Sequence, residues 1–404
     1  MTSPGGSSCA SLYQSHLGIL PGATLGILGG GQLGRMFTAV ARTLGYSVIV
    51  LDPDPYSPAA HFADRHIVAD FSDQHALEEF GKECAAVSTE FENVPAESLR
   101  FLAQFCTVRP SAEAVAISQN RISEKRFFTT HGFPCTRFAV IQSRDDLAAA
   151  MREIGTAAEL PALLKRSQLG YDGKGQARVC NIDEASRAFD DMSGAPCVLE
   201  ELLSLDLEIS VILARGADAQ IAIFPIAENQ HRHGILDVTV APARIPDTLA
   251  HQARHIAMQI AERLNYCGVL AVEFFVLADG TGGQRLLINE IAPRPHNSGH
   301  YTLDACVTDQ FEQQVRALCG LPLGDTRLLS PAVMVNLLGD VWSSGTPPLK
   351  KIGENILSCP QAKLHLYGKR EARPGRKMGH YTVMDITIES ALARALDIKG
   401  KVGG

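Results

Sequence analysis

The sequence predicts a mixed α/β and α+β protein of three domains: a doubly wound N-terminal unit, a larger α+β unit and a small β-rich C-terminal unit. Three observations carry this. Short apolar strands alternate with helical stretches from Thr24 to about Pro110; from Gln119 the strands become long and mostly β-branched; and a Gly/Pro stretch, "GLPLGD" at 320–325, sets off the tail. At roughly 150 residues per domain, 404 residues suit two or three domains, each with its own core. The expected division is a leader at 1–22, an α/β domain at 23–118, an α+β domain at 119–320 and a β-rich domain at 321–404.

The first 22 residues, rich in Ser, Gly and Pro, have no basic start and no sustained apolar stretch. They predict a disordered leader rather than a secretory signal. The first strand, at 24–28, runs into "GILGGGQLGRM", where Gly29, Gly31 and Gly34 stand at G-x-G-x-x-G spacing. A helix follows, with Leu33, Met36, Phe37, Val40, Ala41 and Leu44 at helical intervals. A second strand, "SVIVLD", ends at Asp52, where a dinucleotide-binding domain places an acid on the ribose. This stretch alone suggests NAD. The glycines, however, meet only a geometric need, backbone N–H groups close to some phosphate. "HIVAD", "AAVSTEF" and "CTVRP" supply the remaining strands of the first domain.

The second domain opens on a charged helix at 121–128, followed by the strands "PALLKRS", "CVLEELL", "LEISVILAR" and "IAIFPIAEN". Lys165 lies in an apolar strand just before the glycine-rich loop 170–176, "GYDGKGQ". A lysine withdrawn from water calls for an anion, and such a loop can turn its N–H groups onto phosphate oxygens. The alternative is a snorkelling lysine before a hairpin turn. "GVLAVEFFVL" and "RLLINEIAPR" read as adjacent strands, each with a carboxylate in mid-run, Glu273 and Glu290. Two isolated buried carboxylates are costly, and a shared Mg²⁺, with Asn289 as a further oxygen ligand, removes the difficulty. Neutralisation by Arg285 and Arg294 is the alternative.

Glu200, Glu201 and Glu208 sit at strand ends, where free backbone groups can meet a purine edge and an acid can hold a ribose, or where acids are simply solvated. The stretch 292–302, "APRPHNSGHYT", packs Arg294, His296, Asn297, Ser298 and His300 beside the presumed metal strand. That density suits a second, anionic substrate better than a plain surface loop. In the tail, Lys369, Arg370, Arg373, Arg376 and Lys377 surround one acid, Glu371, and read either as a phosphate pocket or as a solvated face.

Composition narrows the classes. A formal charge of −7 argues against general nucleic-acid binding. No apolar run approaches the roughly 20 residues that span a bilayer. The ten cysteines form no C-x-x-C or zinc spacing, which suits free thiols in a reducing cytoplasm.

"GGGQLGRM", "STEFENVP", "GYDGKGQ", "NEIAPRPHNSGHYT" and "RPGRKMGH", in this order, resemble the 5-(carboxyamino)imidazole ribonucleotide synthases of the ATP-grasp superfamily, from Thr24 to the C-terminal region. The resemblance implies a three-domain ATP-grasp fold. It implies ATP held by Arg121 and Lys165 on the phosphates, by a lid of Gly170, Tyr171, Asp172, Gly173, Lys174, Gly175 and Gln176, and by Glu200, Glu201, Leu202 and Leu203 at adenine. Glu208 would take the ribose, His231 a further nucleotide contact, and Asn289 and Glu290 would close the site, with Glu273 and Glu290 on Mg²⁺.

On the same resemblance 5-aminoimidazole ribonucleotide faces Gly31, Gln32, Leu33, Glu92, Asn297, Ser298, Lys369, Arg376 and Lys377. Arg294, His296, Tyr171 and Asp172 lie at the bicarbonate and the reacting amine. The implied reaction is ATP-dependent carboxylation of that ribonucleotide through carboxyphosphate, in purine biosynthesis. A homodimer is implied, with no NAD and no biotin. Lys174 and Leu169 depart little from the pattern. An NAD-dependent dehydrogenase would leave the paired glutamates unexplained. A formate-using transformylase or a biotin-dependent carboxylase would share the nucleotide site but differ in acceptor, and a non-catalytic nucleotide sensor would not need the metal ligands.

Overall fold

In the computed structural model of the chain, residues 18–154, 161–168, 170, 175–278, 280, 282–343 and 348–403 are described. The N-terminal strands β1 (Thr24–Leu28), β2 (Ser47–Leu51), β3 (Arg65–Ile67), β4 (Ala86–Thr89) and β5 (Thr107–Val108) form a parallel sheet in the order β3-β2-β1-β4-β5. Strand order reverses at β1, so a crevice opens at its C-terminal end. The glycine loop and the helix Gln32–Thr43 begin there. Leu33, Phe37 and Ala41 of that helix pack on Leu25 and Ile27, together with Phe311, Val315 and Leu318 of the helix Gln310–Cys319. A helix from the second domain thus completes the core of the first.

Strands β6 (Phe138–Ile141), β7 (Ala162–Arg166), β8 (Gln176–Val179) and β9 (Cys197–Glu201) make an antiparallel sheet in the order β6-β9-β7-β8. The third sheet holds β10 (Leu207–Arg215), β11 (Ile221–Ile223), β12 (Ala227–Arg232), β13 (Ile235–Ala241), β14 (Gly268–Ala278), β15 (Gln284–Ala292), β16 (Ala332–Leu338), β17 (Ala362–Leu366) and β18 (Lys377–Met384). Its order is β15-β14-β10-β12-β13-β16-β18-β17, with β11 beside β10. The C-terminal strands therefore extend the sheet of the second domain through β13 and β16 instead of closing one of their own.

Cross-strand pairing shows how this sheet builds a site. Glu290 lies opposite Glu273, Glu273 opposite Ser210, Glu208 opposite Asn229, and Asn229 opposite Thr239. Because directly paired side chains share a face, one polar row crosses five strands. Farther along the sheet Asn336 lies opposite His380, and His380 opposite His365. The other face is apolar. It packs Val211, Leu213 and Phe274 against the helix Asp247–Arg263, and Val333, Val335 and Val383 against the helix Ile388–Val402.

Two expectations need correction. "IAIFPIAEN" is not one strand: it breaks at Phe224–Ile226 into β11 and β12. Pro225 has no N–H for a ladder, and its carbonyl instead accepts the Tyr301 hydroxyl at 2.6 Å. Residues 18–22 are also not a loose leader, since Ile19 donates its N–H to the Cys319 carbonyl at 2.7 Å and accepts from the Tyr46 hydroxyl at 2.7 Å.

The third glycine of the opening motif is required by packing. A Cβ on Gly34 would lie 2.3 Å from the Gly29 carbonyl oxygen. Backbone cannot step aside as a side chain can, so Gly34→Ala is expected to destabilise the protein by about 1–3 kcal/mol, the usual cost of overpacking. A urea titration checks this; an unchanged midpoint at unchanged slope would refute it.

Candidate active site

The helix Arg121–Thr130 is capped by Asn120, whose Oδ1 accepts from the N–H groups of Ile122 and Ser123. Arg121, Glu124 and Lys125 stand at i, i+3 and i+4 and so share one face. Each reaches β15 across the cleft. Arg121 Nη1 donates to Glu290 Oε2 at 2.8 Å, Glu124 Oε1 accepts from the Ile291 N–H at 2.8 Å, and Lys125 Nζ donates to the Asn289 carbonyl at 3.3 Å. Burial, then the charge of Glu290, pushes the Glu124 carboxyl up to about 8. Glu124 and Lys125 are functional neighbours that motif reading passed over. Their only signal was the charged face of "RISEKRFF".

Lys165 does carry an anion, but the anion is a protein carboxylate. Its Nζ donates to Glu200 Oε2 at 2.9 Å, and Lys125 Nζ stands 3.4 Å from Glu200 Oε1. All three side chains are buried. Burial alone would raise the Glu200 carboxyl, yet the two ammonium groups outweigh it and hold it at about 2. Glu200, expected at adenine, thus turns its carboxylate onto the lysines and away from solvent. Glu201 is half-buried and accepts from the Arg137 N–H at 3.2 Å, Leu202 is exposed and Leu203 half-buried. The snorkelling alternative for Lys165 fails as well, although β7 and β8 do form a hairpin, with Lys165 opposite Gln176.

Glu273 and Glu290 face each other from adjacent strands. Burial, then the charge of Glu290, raises the Glu273 carboxyl, whereas Arg121 and Lys165 overcome burial and hold Glu290 low. Arg121 pairs directly with Glu290, and the charge of Arg294 also acts on it, whereas Arg285 is exposed. Asn289 Nδ2 donates to Glu273 Oε2 at 3.5 Å, and its buried Oδ1 meets no donor among the described residues. Two carboxylates and an orphaned amide oxygen are a hard-oxygen donor set, which fits Mg²⁺ completed by phosphate oxygens. Beside them Glu208 Oε2 lies 3.0 Å from His231 Nδ1.

The loop after β15 is more interior than its composition suggests. Arg294 is bound at two nitrogens by Glu92, Nε to Oε2 at 2.5 Å and Nη2 to Oε1 at 3.2 Å, an ion pair between the first and second domains. His296 Nε2 stands 3.3 Å from Glu273 Oε1, and burial, then the charge of Arg294, drives this imidazole well below its ordinary value. Asn297 and Ser298, expected at the substrate, are buried beside the site. Asn297 exchanges amide hydrogen bonds with Asn336 at 2.7 and 3.0 Å, and the Ser298 hydroxyl, fully buried, lies between Ser210 and His296. His300 packs in the interior against His380 at a tilt, and His380 stacks on His365.

The glycine loop, expected to face the substrate, is held by two carboxylates. The N–H groups of Gly31 and Leu33 are donated to Glu90, and that of Gly30 to Asp52 Oδ2 at 2.6 Å. These amides are thus taken by carboxylates instead of lying open to a phosphate, and Asp52 serves the loop, not a ribose. Burial pushes the Glu90 carboxyl up to about 7. Gln32, at the start of the helix, is half-buried. The basic tail approaches both halves of the site. Arg370 stacks on Tyr56 near the glycine loop at 3.3 Å, the charge of Lys369 acts on Glu90, and that of Lys377 acts on Glu273, His231 and His296. Arg376 is half-buried and donates to the Glu371 carbonyl at 3.0 Å. Gly170 is half-buried and Gly175 adopts φ +71 ahead of Gln176. Tyr171, Asp172, Gly173 and Lys174 lie outside the described residues.

A charged cleft between an antiparallel four-stranded sheet and a carboxylate-bearing sheet, behind a parallel α/β domain, defines an ATP-grasp enzyme. Residues 126–311 match the ATP-grasp domain, 22–119 the ribonucleotide synthetase preATP-grasp domain, and 332–394 the phosphoribosylaminoimidazole carboxylase C-terminal domain. The chain is 45% identical over 364 residues to N5-carboxyaminoimidazole ribonucleotide synthase of Brucella melitensis, covering 90% of this chain and 96% of that one. It is 41% identical over 366 residues to that of Bacillus subtilis, covering 91% and 92%. A solved N5-carboxyaminoimidazole ribonucleotide synthetase with ADP superposes at a TM-score of 0.87 with 40% identity, over 94% of this chain and 97% of that one. The Aspergillus clavatus enzyme, solved with ADP and 5-aminoimidazole ribonucleotide, gives 0.84 and 31%, over 94% and 98%. The chain belongs to the N5-carboxyaminoimidazole ribonucleotide synthase family, ATP-dependent ligases whose catalysis depends on a nucleotide.

The buried triad can be tested directly. Glu200→Gln would leave two ammonium groups without their anion and is expected to cost about 3–5 kcal/mol, whereas Glu201→Gln, half-exposed, should cost under about 0.5 kcal/mol. Because the Glu200 carboxyl lies lower when folded than its ordinary 4.5, its contribution is present above that pH and fades as pH falls toward 2. The gap between wild type and Glu200→Gln in chemical denaturation should therefore hold from pH 8 to 5 and narrow below. Equal costs for the two variants would refute the triad.

Proposed function

We propose that the chain carboxylates 5-aminoimidazole ribonucleotide with bicarbonate and ATP, as the family does, and that the residues gathered in the cleft do the work as follows. The observation that carries this reading is the Glu273 and Glu290 pair, set face to face beside Arg121 and Lys165 and within reach of Arg294 and His296. A bicarbonate oxygen attacks the γ-phosphorus, the bond to the bridging oxygen breaks, and ADP and carboxyphosphate form. The exocyclic amine of the ribonucleotide then attacks the carboxyl carbon, phosphate departs, and the nitrogen loses a proton. Phosphoryl transfer asks chiefly for positioning and charge neutralisation. Arg121 and Lys165 supply both to the phosphates, with Glu200 holding Lys165 in place.

Glu273, Glu290 and Asn289 would hold Mg²⁺, which when bound neutralises charge on the transferring phosphate. The strand-end backbone at 201–203 would take the adenine edge, with Glu208 and His231 at the ribose. Arg294 would meet the bicarbonate once Glu92 yields part of its hold. Residues 170–176 would cover the site, since carboxyphosphate must be kept from water. Gln32, Lys369, Arg376 and Lys377 would hold the ribonucleotide. We read the chain as three domains, 23–118, 119–320 and 321–404, acting as a homodimer in the cytoplasm. The free state of the nine described cysteines supports that location.

Two measurements test these roles. Glu290→Gln is expected to fold but lose about 3 kcal/mol of transition-state stabilisation, on the order of a hundredfold in ADP release; near-wild-type release at saturating Mg²⁺ would sink the metal assignment. Arg376→Ala should remove a charge-assisted contact of about 1.5–3 kcal/mol, raising the KM for the ribonucleotide roughly ten- to a hundredfold with the KM for ATP unchanged. A raised KM for ATP alone would place the tail at the nucleotide instead.

A further inference from the structure

Behind His296 a buried chain of side-chain hydrogen bonds crosses three strands. Thr239 Oγ1 donates to Asn229 Oδ1 at 3.1 Å, Asn229 Nδ2 donates to Ser210 Oγ at 3.0 Å, Ser210 Oγ lies 2.7 Å from Ser298 Oγ, and Ser298 Oγ lies 2.8 Å from His296 Nδ1. None of the four residues is more than 5% exposed. The roles proposed so far leave Thr239, Asn229 and Ser210 without a task.

The chain has a direction. An amide nitrogen only donates, so Ser210 Oγ accepts from Asn229 and its own proton is free to go to Ser298, which leaves the Ser298 proton for His296 Nδ1. Turning the Asn229 amide over would reverse every link. The backbone decides between the two orders, because the Ser298 N–H also donates to His296 Nδ1, at 3.4 Å, capping the short turn Asn297–Gly299. A backbone N–H cannot be reversed. Nδ1 therefore presents a lone pair, and the ring proton sits on Nε2, 3.3 Å from Glu273 Oε1.

We propose that Thr239, Asn229, Ser210 and Ser298 are positioning residues that lock His296 in the Nε2–H tautomer, so that it acts on the substrates as a hydrogen-bond donor to an anionic oxygen and not as the base that takes the amine's proton. A wrong tautomer in an otherwise intact site is costly to catalysis, and partners one shell out typically matter ten- to a hundredfold. This rests on the reading of the cleft as a carboxylation site, while its test has a readout independent of turnover.

That readout is two-bond ¹H–¹⁵N correlation on histidine-labelled protein, with the His296 signals identified by their loss in His296→Gln. Wild type is expected to show a protonated Nε2 and a bare Nδ1. Ser298→Ala should bring in the other tautomer and lower kcat roughly ten- to a hundredfold with the KM for ATP unchanged, and Ser298→Thr should restore both. Asn229→Asp, whose carboxylate only accepts, should drive the proton to Nδ1. If burying that charge prevents folding, Ser298→Ala still decides. A proton on Nδ1 in wild type, or a change in either the spectrum or kcat of Ser298→Ala without the other, would overturn the proposal. Wild type that forms no ADP with ribonucleotide and bicarbonate would instead overturn the carboxylation reading and leave the tautomer result standing.

Discussion

One carboxylate held between two buried ammonium groups governs the architecture around it. Glu200 lies on β9, Lys165 on β7, and Lys125 on the helix that also reaches the Asn289 carbonyl. None of these charges can be left alone in the interior at a tolerable cost. The four-stranded sheet, the helix Arg121–Thr130 and β15 must therefore come together as a unit, or three charges lose their partners. The cleft lies along the seam so formed, and its electrostatics follow from the same need: Arg121, one turn before Lys125, lands on Glu290 because Lys125 is already pinned.

The large carboxylate-bearing sheet divides its two faces by function. One face is aliphatic and covered by two long helices, and the other carries a polar residue on nearly every strand from Glu290 to His365. Such a row is costly unless each member has a partner. The partners come from elsewhere in the chain: Asn297 for Asn336, Ser298 for Ser210, Glu92 for Arg294. The loop at 292–302 is therefore both wall of the cleft and filler of the polar face, which explains why so many of its polar side chains are interior.

How much of this could be read in advance depended on range. Strand, turn and helix at the glycine motif are local events, as is the pairing of two strands joined by a short turn, and all of these were legible from spacing. So was the class of chemistry, because five motifs in fixed order resemble one family. What failed was the question of whom each side chain meets. That Glu90 fills the glycine loop, that Glu200 faces two lysines, and that Ser298 meets Ser210 are contacts across 35 to 88 residues, and nothing in a one-dimensional pattern specifies them. Glu208 and Ser210, at alternate positions in "LEISVILAR", did carry a trace of the polar row. Their period of two was visible; their common partner was not.

The pairing of β13 with β16 also bears on how the chain is made. About 90 residues separate the end of one strand, at Ala241, from the start of the other, at Ala332. At ribosomal rates of about 5–20 residues per second, the outer edge of β13 stays open for on the order of ten seconds while its neighbour is still being synthesised. An unpaired apolar edge is an invitation to other nascent chains. Asp237, in the middle of β13, places a charge there, and in the finished protein that charge is met by Lys399 of the last helix. The charge that ends as half of an ion pair also keeps β13 from being a wholly apolar strand before β16 is made.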